Sequence, residues 1–270
     1  MRRIVPILCG LYLLLVLVCV VTGSAFAPHD PSAQDPLLGA STPGPGHPLG
    51  TDQLGRDVLS QLIAGARTAV FGPLLVAIGC VVLGGTLGLL AAYHGGLTDL
   101  IANRTADLIY ALPALLVAIV VVGVAGGGYW ITVVLLLVLS VPSEIRLCRS
   151  AASAQTRLPY VDAARTLGLP TRRIVFRHVL PNVMPTVVAT FLLDLVAALI
   201  GFSALSFLGI GVPLGSPDWG SMLAGGQQLI AQNPWLSVAP AVLLILTAVS
   251  ATLLGDWAYD RLSVRRGARA

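Results

Sequence analysis

Few residues in this chain could do chemistry, and their positions decide which chemistry is open. The histidines are His29, His47, His94 and His178, and none lies in the middle of an apolar run. Gly201-Phe202-Ser203-Ala204 could present a serine nucleophile inside a membrane, but such a serine needs a general base at the same depth. With no histidine there, the better reading is a patch of small residues for close helix packing. No two histidines or carboxylates share an apolar span, so no metal site is expected. Cys9, Cys19, Cys80 and Cys148 form no CxxC pair and read as small buried hydrophobes. No GxxxxGK[ST] loop occurs and the chain has no lysine, so it does not bind and hydrolyse ATP through a P-loop. Asp194 is an ionisable group deep in an apolar run, where a carboxylate is costly and faces a cavity, a pathway or a partner.

The elements that must position these groups are membrane spans. The chain has 270 residues, 56% hydrophobic and only 10% charged, with mean hydropathy +0.88. A soluble domain carries roughly 25% charged residues. All 16 basic residues are arginines and sit beside apolar runs, so the net charge of +4 reads as a topology signal and not as a nucleic-acid surface.

Arg2 and Arg3 precede an uncharged run from Ile4 to Val21, too long for a signal h-region and about a full span. It is expected to be a retained anchor, about 4–22. Residues Gly23 to Arg67 are rich in Pro and Gly and carry Asp30, Asp35, Asp52 and Asp57. In that segment a short interfacial helix is expected, capped by Thr51 or Asp52, with Leu54, Val58, Leu59, Leu62 and Ile63 on one face. Thr68 to Tyr93 forms a second span. Leu108 to Ser143 has no charge, and as one helix would reach about 54 Å against a hydrocarbon core of about 30 Å. It must fold back at Gly126-Gly127-Gly128, giving spans at about 108–124 and 129–147. Val183 to Phe202 and Trp235 to Trp257 complete six. Ser203 to Pro234 is expected to be an extracytoplasmic loop, dipping partly into the membrane face.

Fourteen arginines (2, 3, 104, 146, 149, 157, 165, 172, 173, 177, 261, 265, 266 and 269) then fall on one side, and only Arg56 and Arg67 on the other. That split, with an even number of spans, places both termini in the cytoplasm. The resulting organisation is an N-terminal anchor and extracytoplasmic segment (1–66), a transmembrane domain (67–262) with a cytoplasmic loop at 148–181, and a basic tail (263–270). Within the loop, YVDAARTLGLPTRRIVFRHVLPN at 160–182 predicts two short helices. The first is stopped by Gly168 and Pro170; the second is capped by Thr171 and ends before Pro181.

This loop resembles the EAA loop of ABC importer permeases, whose pattern is EAA, three residues, Gly, nine residues, Ile, one residue, Leu-Pro. Asp162-Ala163-Ala164, Gly168 and Leu180-Pro181 match it, with Asp162 for Glu and His178 for Ile. LGTDQLGRDVLSQLIAGART at 49–68, LSFLGIGVP at 205–213, PDWGSML at 217–223, NPWL at 233–236 and LLGDWAYDRL at 253–262 look like signatures of the dipeptide/oligopeptide branch. The chain thus resembles, over about 49–262, the second permease subunit of such importers, whose relatives also carry nickel. Phe202 stands where that family commonly has a glutamate, so no pathway carboxylate carries over to 202.

The resemblance implies an all-α type I permease fold and a chain that is not catalytic by itself. Its partners would be a homologous permease subunit, one or two cytoplasmic ATPase subunits holding ATP and Mg, and an extracytoplasmic binding protein, in a bacterial cytoplasmic membrane. Asp162, Ala163, Ala164, Gly168, Leu180 and Pro181 would couple it to the ATPase. Asp194 would face the substrate path, and Asp52, Arg56, Asp218 and Trp219 would belong to the docking face. The cargo is expected to be a di- or oligopeptide, with nickel or another small solute as the alternative.

Overall fold

The computed structural model describes residues 4–96, 104–109, 111, 113–212 and 216–267, the last four by backbone alone. Its helices are α1 (Ile4–Thr22), α2 (Val58–Gly79), α3 (Thr86–His94), α4 (104–109), α5 (Ala114–Val124), α6 (Tyr129–Thr156), α7 (Pro159–Thr166), α8 (Thr171–Arg173), α9 (Leu180–Phe207), α10 (Trp219–Gln227) and α11 (Trp235–Gly267). Wider π turns at Cys80–Gly85 and Ile174–Val179 join α2 to α3 and α8 to α9. Among the described residues there are no strands. The basic residues 2, 3 and 269 and the side chains of 265 and 266, counted in the topology argument, lie outside what is described.

Five helices are long and apolar enough to cross a membrane: Ile4–Phe26, Val58–His94, Tyr129–Thr156, Thr171–Phe207 and Trp235–Ser263. The sixth expected span, 108–124, is interrupted. The helix of 104–109 ends near Pro113, and α5 holds 11 residues. Proline disfavours helix in the residue before it and lacks the N–H a continuing helix needs, which accounts for the break.

Three other expectations are corrected. No separate interfacial helix precedes the second span: one helix runs from Val58 to His94. Its N-terminus is capped by Asp57, whose Oδ2 accepts from the Ser60 backbone N–H at 2.8 Å. Thr51 instead closes the loop, its hydroxyl donating to the Gly39 carbonyl at 2.7 Å. Pro181 does not end a helix, because Thr171–Phe207 is continuous through Pro181 and Pro185. The wide turn Ile174–Val179 directly before Pro181 loosens the backbone where the proline ring would otherwise meet the preceding carbonyls. Finally, α6 runs to Thr156, well past 147.

Packing divides the chain into two compact units. The first holds Met1–Leu75, Ala118–Leu136 and Val196–Ala251; the second holds Val76–Val117, Leu137–Leu195 and Thr252–Ala270. In the first, Val16, Val20, Leu62, Ala66, Leu199, Trp219 and Leu236 form the core. The Tyr12 hydroxyl donates to the Leu243 carbonyl at 3.2 Å, so α1 is a packed member of the unit. In the second, Leu89, Cys148, Ala152, Val161, Ile174, Val175 and Val179 are packed together. All four cysteines are free thiols.

Glycine sets how closely helices approach. A Cβ on Gly84 would meet Glu144 Cβ at 2.8 Å, and one on Gly88 would meet the Ile145 carbonyl oxygen at 2.6 Å. Gly84 and Gly88 are four apart on one helical face, so the turn from Cys80 into α3 lies directly on the backbone of α6. Large apolar side chains such as Leu11 (63% exposed), Leu15 (61%) and Ile245 (61%) face outward, as lipid- or partner-facing surfaces require.

Candidate functional site

Within the second unit, α7 is a two-turn helix opened by Pro159, a residue suited to the first helical position. It closes on Gly168 at φ +70°. The Gly168 N–H donates to the Arg165 carbonyl at 2.9 Å and the Leu169 N–H to the Ala164 carbonyl at 3.2 Å. These are both bonds of a Schellman C-cap. A Cβ at 168 would meet no atom within 4 Å. The constraint is therefore backbone conformation and not space.

The helix presents two faces. Val161 and Ala164 are buried in the second unit's core, whereas Asp162, Ala163 and Leu167 are exposed, Leu167 by 79%. Ala164 thus anchors the helix instead of sharing its free surface. Leu180 is half-buried and Pro181 exposed at the start of α9. Arg165 Nη1 lies 3.4 Å from Asp162 Oδ1, an exposed pair worth little by itself. Its guanidinium carbon also sits 4.7 Å from the centroid of the Tyr93 ring, which links α7 to the end of α3. The Asn182 amide donates to the Tyr160 hydroxyl at 3.1 Å and to the His178 carbonyl at 2.9 Å.

Higher on α9, Asp194 is half-buried and its Oδ2 makes no hydrogen bond. It shares its surroundings with a second carboxylate that sequence reasoning missed. Glu144 on α6 is fully buried and reaches Thr190, one helical turn before Asp194 on α9. Its Oε1 accepts from Thr190 Oγ1 at 3.1 Å and from Cys148 Sγ at 2.9 Å, while its Oε2 is unpartnered. In the sequence Glu144 stands just before Arg146 and Arg149 and looks like a helix-end charge. The signal that could have found it is its spacing of four to Cys148, which places both on one helical face.

In the first unit, the four residues expected at the docking face are buried or half-buried and take part in its hydrogen bonding. Asp52 is buried; its Oδ1 accepts from the Leu54 and Arg56 N–H groups at 2.9 Å each, and its Oδ2 from Arg56 Nε at 2.7 Å and Gln61 Nε2 at 3.0 Å. Asp218 is fully buried, and its Oδ2 caps α10 by accepting from the Gly220 and Ser221 N–H groups. Burial raises the Asp218 carboxyl to about 6, against the opposing pull of those N–H donors. Trp219 is buried and donates through Nε1 to the Leu62 carbonyl at 2.9 Å. A cavity of about 440 Å³ opens among Asp52, Arg56, Gln61, Ser221 and Gln228, bringing the 49–68 signature together with the loop before α10.

Asp57 lies beside this scaffold with His47 Nδ1 at 2.9 Å from its Oδ1. Burial pushes the Asp57 carboxyl up, but the Ser60 hydroxyl and His47 outweigh it and hold it below its ordinary value. Ser203 Oγ makes no hydrogen bond, and a Cβ on Gly220 would meet the Ser203 carbonyl oxygen at 2.5 Å. The Gly201–Ala204 stretch therefore includes a close backbone contact with α10. Phe202 is buried, its ring 5.1 Å from that of Tyr129.

Residues 84–267 match the family described as "Binding-protein-dependent transport system inner membrane component". The chain is 36% identical over 258 residues to the di/tripeptide transport system permease protein DppC of Pseudomonas aeruginosa, covering 93% of this chain and 85% of that one. It is 32% identical over 265 residues to the glutathione transport system permease protein GsiD of Pectobacterium atrosepticum, covering 97% and 87%. Its fold is similar to a chain of the MetNI methionine ABC transporter solved in inward-facing conformations, with TM-score 0.60 and 19% identity over 75% of this chain and 96% of that one.

Proposed function

Because this chain belongs to the family of binding-protein-dependent transport system inner-membrane components, we propose that it is the permease subunit of an importer for di- and oligopeptides. It is a multi-pass membrane protein and a transport component, not a catalyst in its own right. The peptide cargo is supported by its similarity to permeases named for di/tripeptide, dipeptide and glutathione transport.

In this reading α7 is the coupling helix. Asp162 and Ala163, with Leu167 beyond them, enter a groove on a cytoplasmic ATPase subunit, and Gly168 closes the helix so that the chain can turn into α8. Ala164 and Leu180 hold that surface to the second unit's core, and Pro181 stands at the foot of α9. The observation that carries the proposal is the double-bonded C-cap at Gly168, which fixes the exposed Asp162-Ala163 face on a defined two-turn helix. ATP binding on the ATPase pair would shift a two-state equilibrium of the spans, biased at the other end by an extracytoplasmic binding protein. A homologous permease subunit would supply the second wall of the path, with Asp194 and Glu144 beside it.

Asp52, Arg56, Asp218 and Trp219 serve the binding-protein docking face as its frame, with Gln53 and Gln228 as exposed members. Among arginines whose side chains are described, nine fall in the second unit and only Arg56 and Arg67 in the first. This supports a cytoplasmic side at α7 in a bacterial inner membrane, and the flanking arginines Arg2, Arg3, Arg261, Arg265, Arg266 and Arg269 support cytoplasmic termini. The test is uptake of a labelled dipeptide into proteoliposomes. Uptake is expected only with this chain, its partner permease, the ATPase and the binding protein together; uptake by this chain alone would overturn the proposal.

A further inference from the structure

We propose that His29, His47 and Asp57 form a binding site for one divalent transition metal of the zinc class, independent of the cargo carried. One ligand atom from each residue lies within 4.8 Å of the other two, although the residues stand 10 and 18 positions apart in the chain. His47 Nδ1 is 2.9 Å from Asp57 Oδ1, and His29 Nδ1 is 3.9 Å from Asp57 Oδ2. The two imidazole rings stack with centroids 4.9 Å apart and planes tilted by 35°. Two nitrogens and one carboxylate oxygen are the donor set of open zinc sites, which keep a fourth position for water or another ligand.

The carboxylate is already oriented. Asp57 is 1% exposed, and its Oδ2 accepts from the Ser60 hydroxyl at 2.6 Å and the Ser60 N–H at 2.8 Å. Such outer hydrogen bonds fix a ligating carboxylate in place. A metal between His47 and Asp57 at the usual ~2.0–2.1 Å needs their donor atoms about 3.3 Å apart for tetrahedral geometry, a widening of about 0.4 Å. His29 must close the rest of the distance; it can do so because its side chain is 46% exposed. The hydrogen bond between His47 and Asp57 explains those two residues without a metal, but it gives His29 no role. The third donor, stacked on His47 and directed at the same carboxylate, is what the metal accounts for. Binding at His47 Nδ1 would replace its hydrogen bond to Asp57 and leave the ring proton on Nε2.

The test uses the purified full chain in detergent, titrated with ZnCl2 by calorimetry and with CoCl2 by visible absorption. One Zn2+ per chain is expected, with Co2+ giving the intense bands of a tetrahedral site. His29→Ala should weaken Zn2+ binding at least ~10-fold and abolish those bands, while His94→Ala changes neither. Because His29→Ala keeps the His47–Asp57 hydrogen bond and the 3.0 Å bond from the His29 backbone N–H to Ser60 Oγ, its size-exclusion profile should match that of the parent. Absence of Zn2+ binding by the parent chain, or unaltered affinity in His29→Ala, would overturn the proposal.

Discussion

The side-chain amide of Asn182, near the start of α9, donates to the Tyr160 hydroxyl on α7 at 3.1 Å, and that hydroxyl in turn donates to Gln155 Oε1 at 3.3 Å. The helix proposed to receive the ATPase is thereby tied to the end of α6 and to the foot of the span that carries Asp194. A displacement of α7 therefore acts directly on the two helices that hold Glu144 and Asp194. Packing supplies the rest of the link, through Val161 and Ala164 against Ile174, Val175 and Val179.

Gly168→Val should leave the chain inserted and folded but reduce uptake per ATP hydrolysed by about tenfold or more. An L-residue at φ +70° costs on the order of 1–2 kcal/mol, comparable to the stability of an exposed two-turn helix end. Gly168→Asn should retain most coupling, since Asn tolerates this conformation and the space is open. Full uptake in the Val variant would remove Gly168 from the account.

Glu144→Ala should cost roughly 2–4 kcal/mol, because it opens a cavity and strips the acceptor from Thr190 and Cys148. Glu144→Gln keeps that acceptor and should be recovered folded. Asp194→Asn should fold normally but change uptake and its pH dependence. Thermal unfolding in detergent separates the first pair, and reconstituted transport decides the third. An unchanged pH profile in Asp194→Asn would make that residue purely structural.

Asp218 sets a pH dependence whose sign follows from its environment. Its folded pKa of about 6 lies above the ordinary value, so the stability tied to the protonated form is complete below pH ~4 and lost as pH rises through about 6. Asp218→Asn keeps a cap acceptor without the buried charge. It should match the parent at pH 4 and exceed it at pH 8, by up to about 3 kcal/mol. Asp218→Ala loses the cap and should be weaker by about 1 kcal/mol at pH 8 relative to Asn. A parent at least as stable as the Asn variant at pH 8 would contradict this.

Gly88→Val should abolish stable folding. Its side chain would enter the Ile145 carbonyl and the Cys148 Cβ, backbone and short atoms that cannot rotate away. Gly10→Val, where a Cβ meets nothing within 4 Å, is the matched control and should be tolerated.

Five of the six expected spans and the turn at Gly168 were legible because each rests on local physics: long uncharged runs, arginine placement, and Gly168 two residues before Pro170. Less legible was what depends on partners far along the chain. Pro181 reads as a stop, and only the wide turn before it lets the helix continue. Asp218 and Trp219 read as surface, yet their shape is set by Leu62 and by the N–H groups of α10. Glu144 reads as a helix-end charge because its burial depends on Thr190, 46 positions later. His29 and His47 lie in a Pro/Gly-rich stretch without periodicity, so nothing local brings them to Asp57.

The central claim is that the exposed face of α7 meets the ATPase. A benzoylphenylalanine photo-crosslinker placed at Ala163, in the assembled importer in membranes, tests it most directly. Irradiation is expected to give one adduct with the mass of this chain plus the ATPase subunit, and no such adduct from the same label at Phe26. Failure of the Ala163 label to reach the ATPase, or an equal yield from Phe26, would contradict the account.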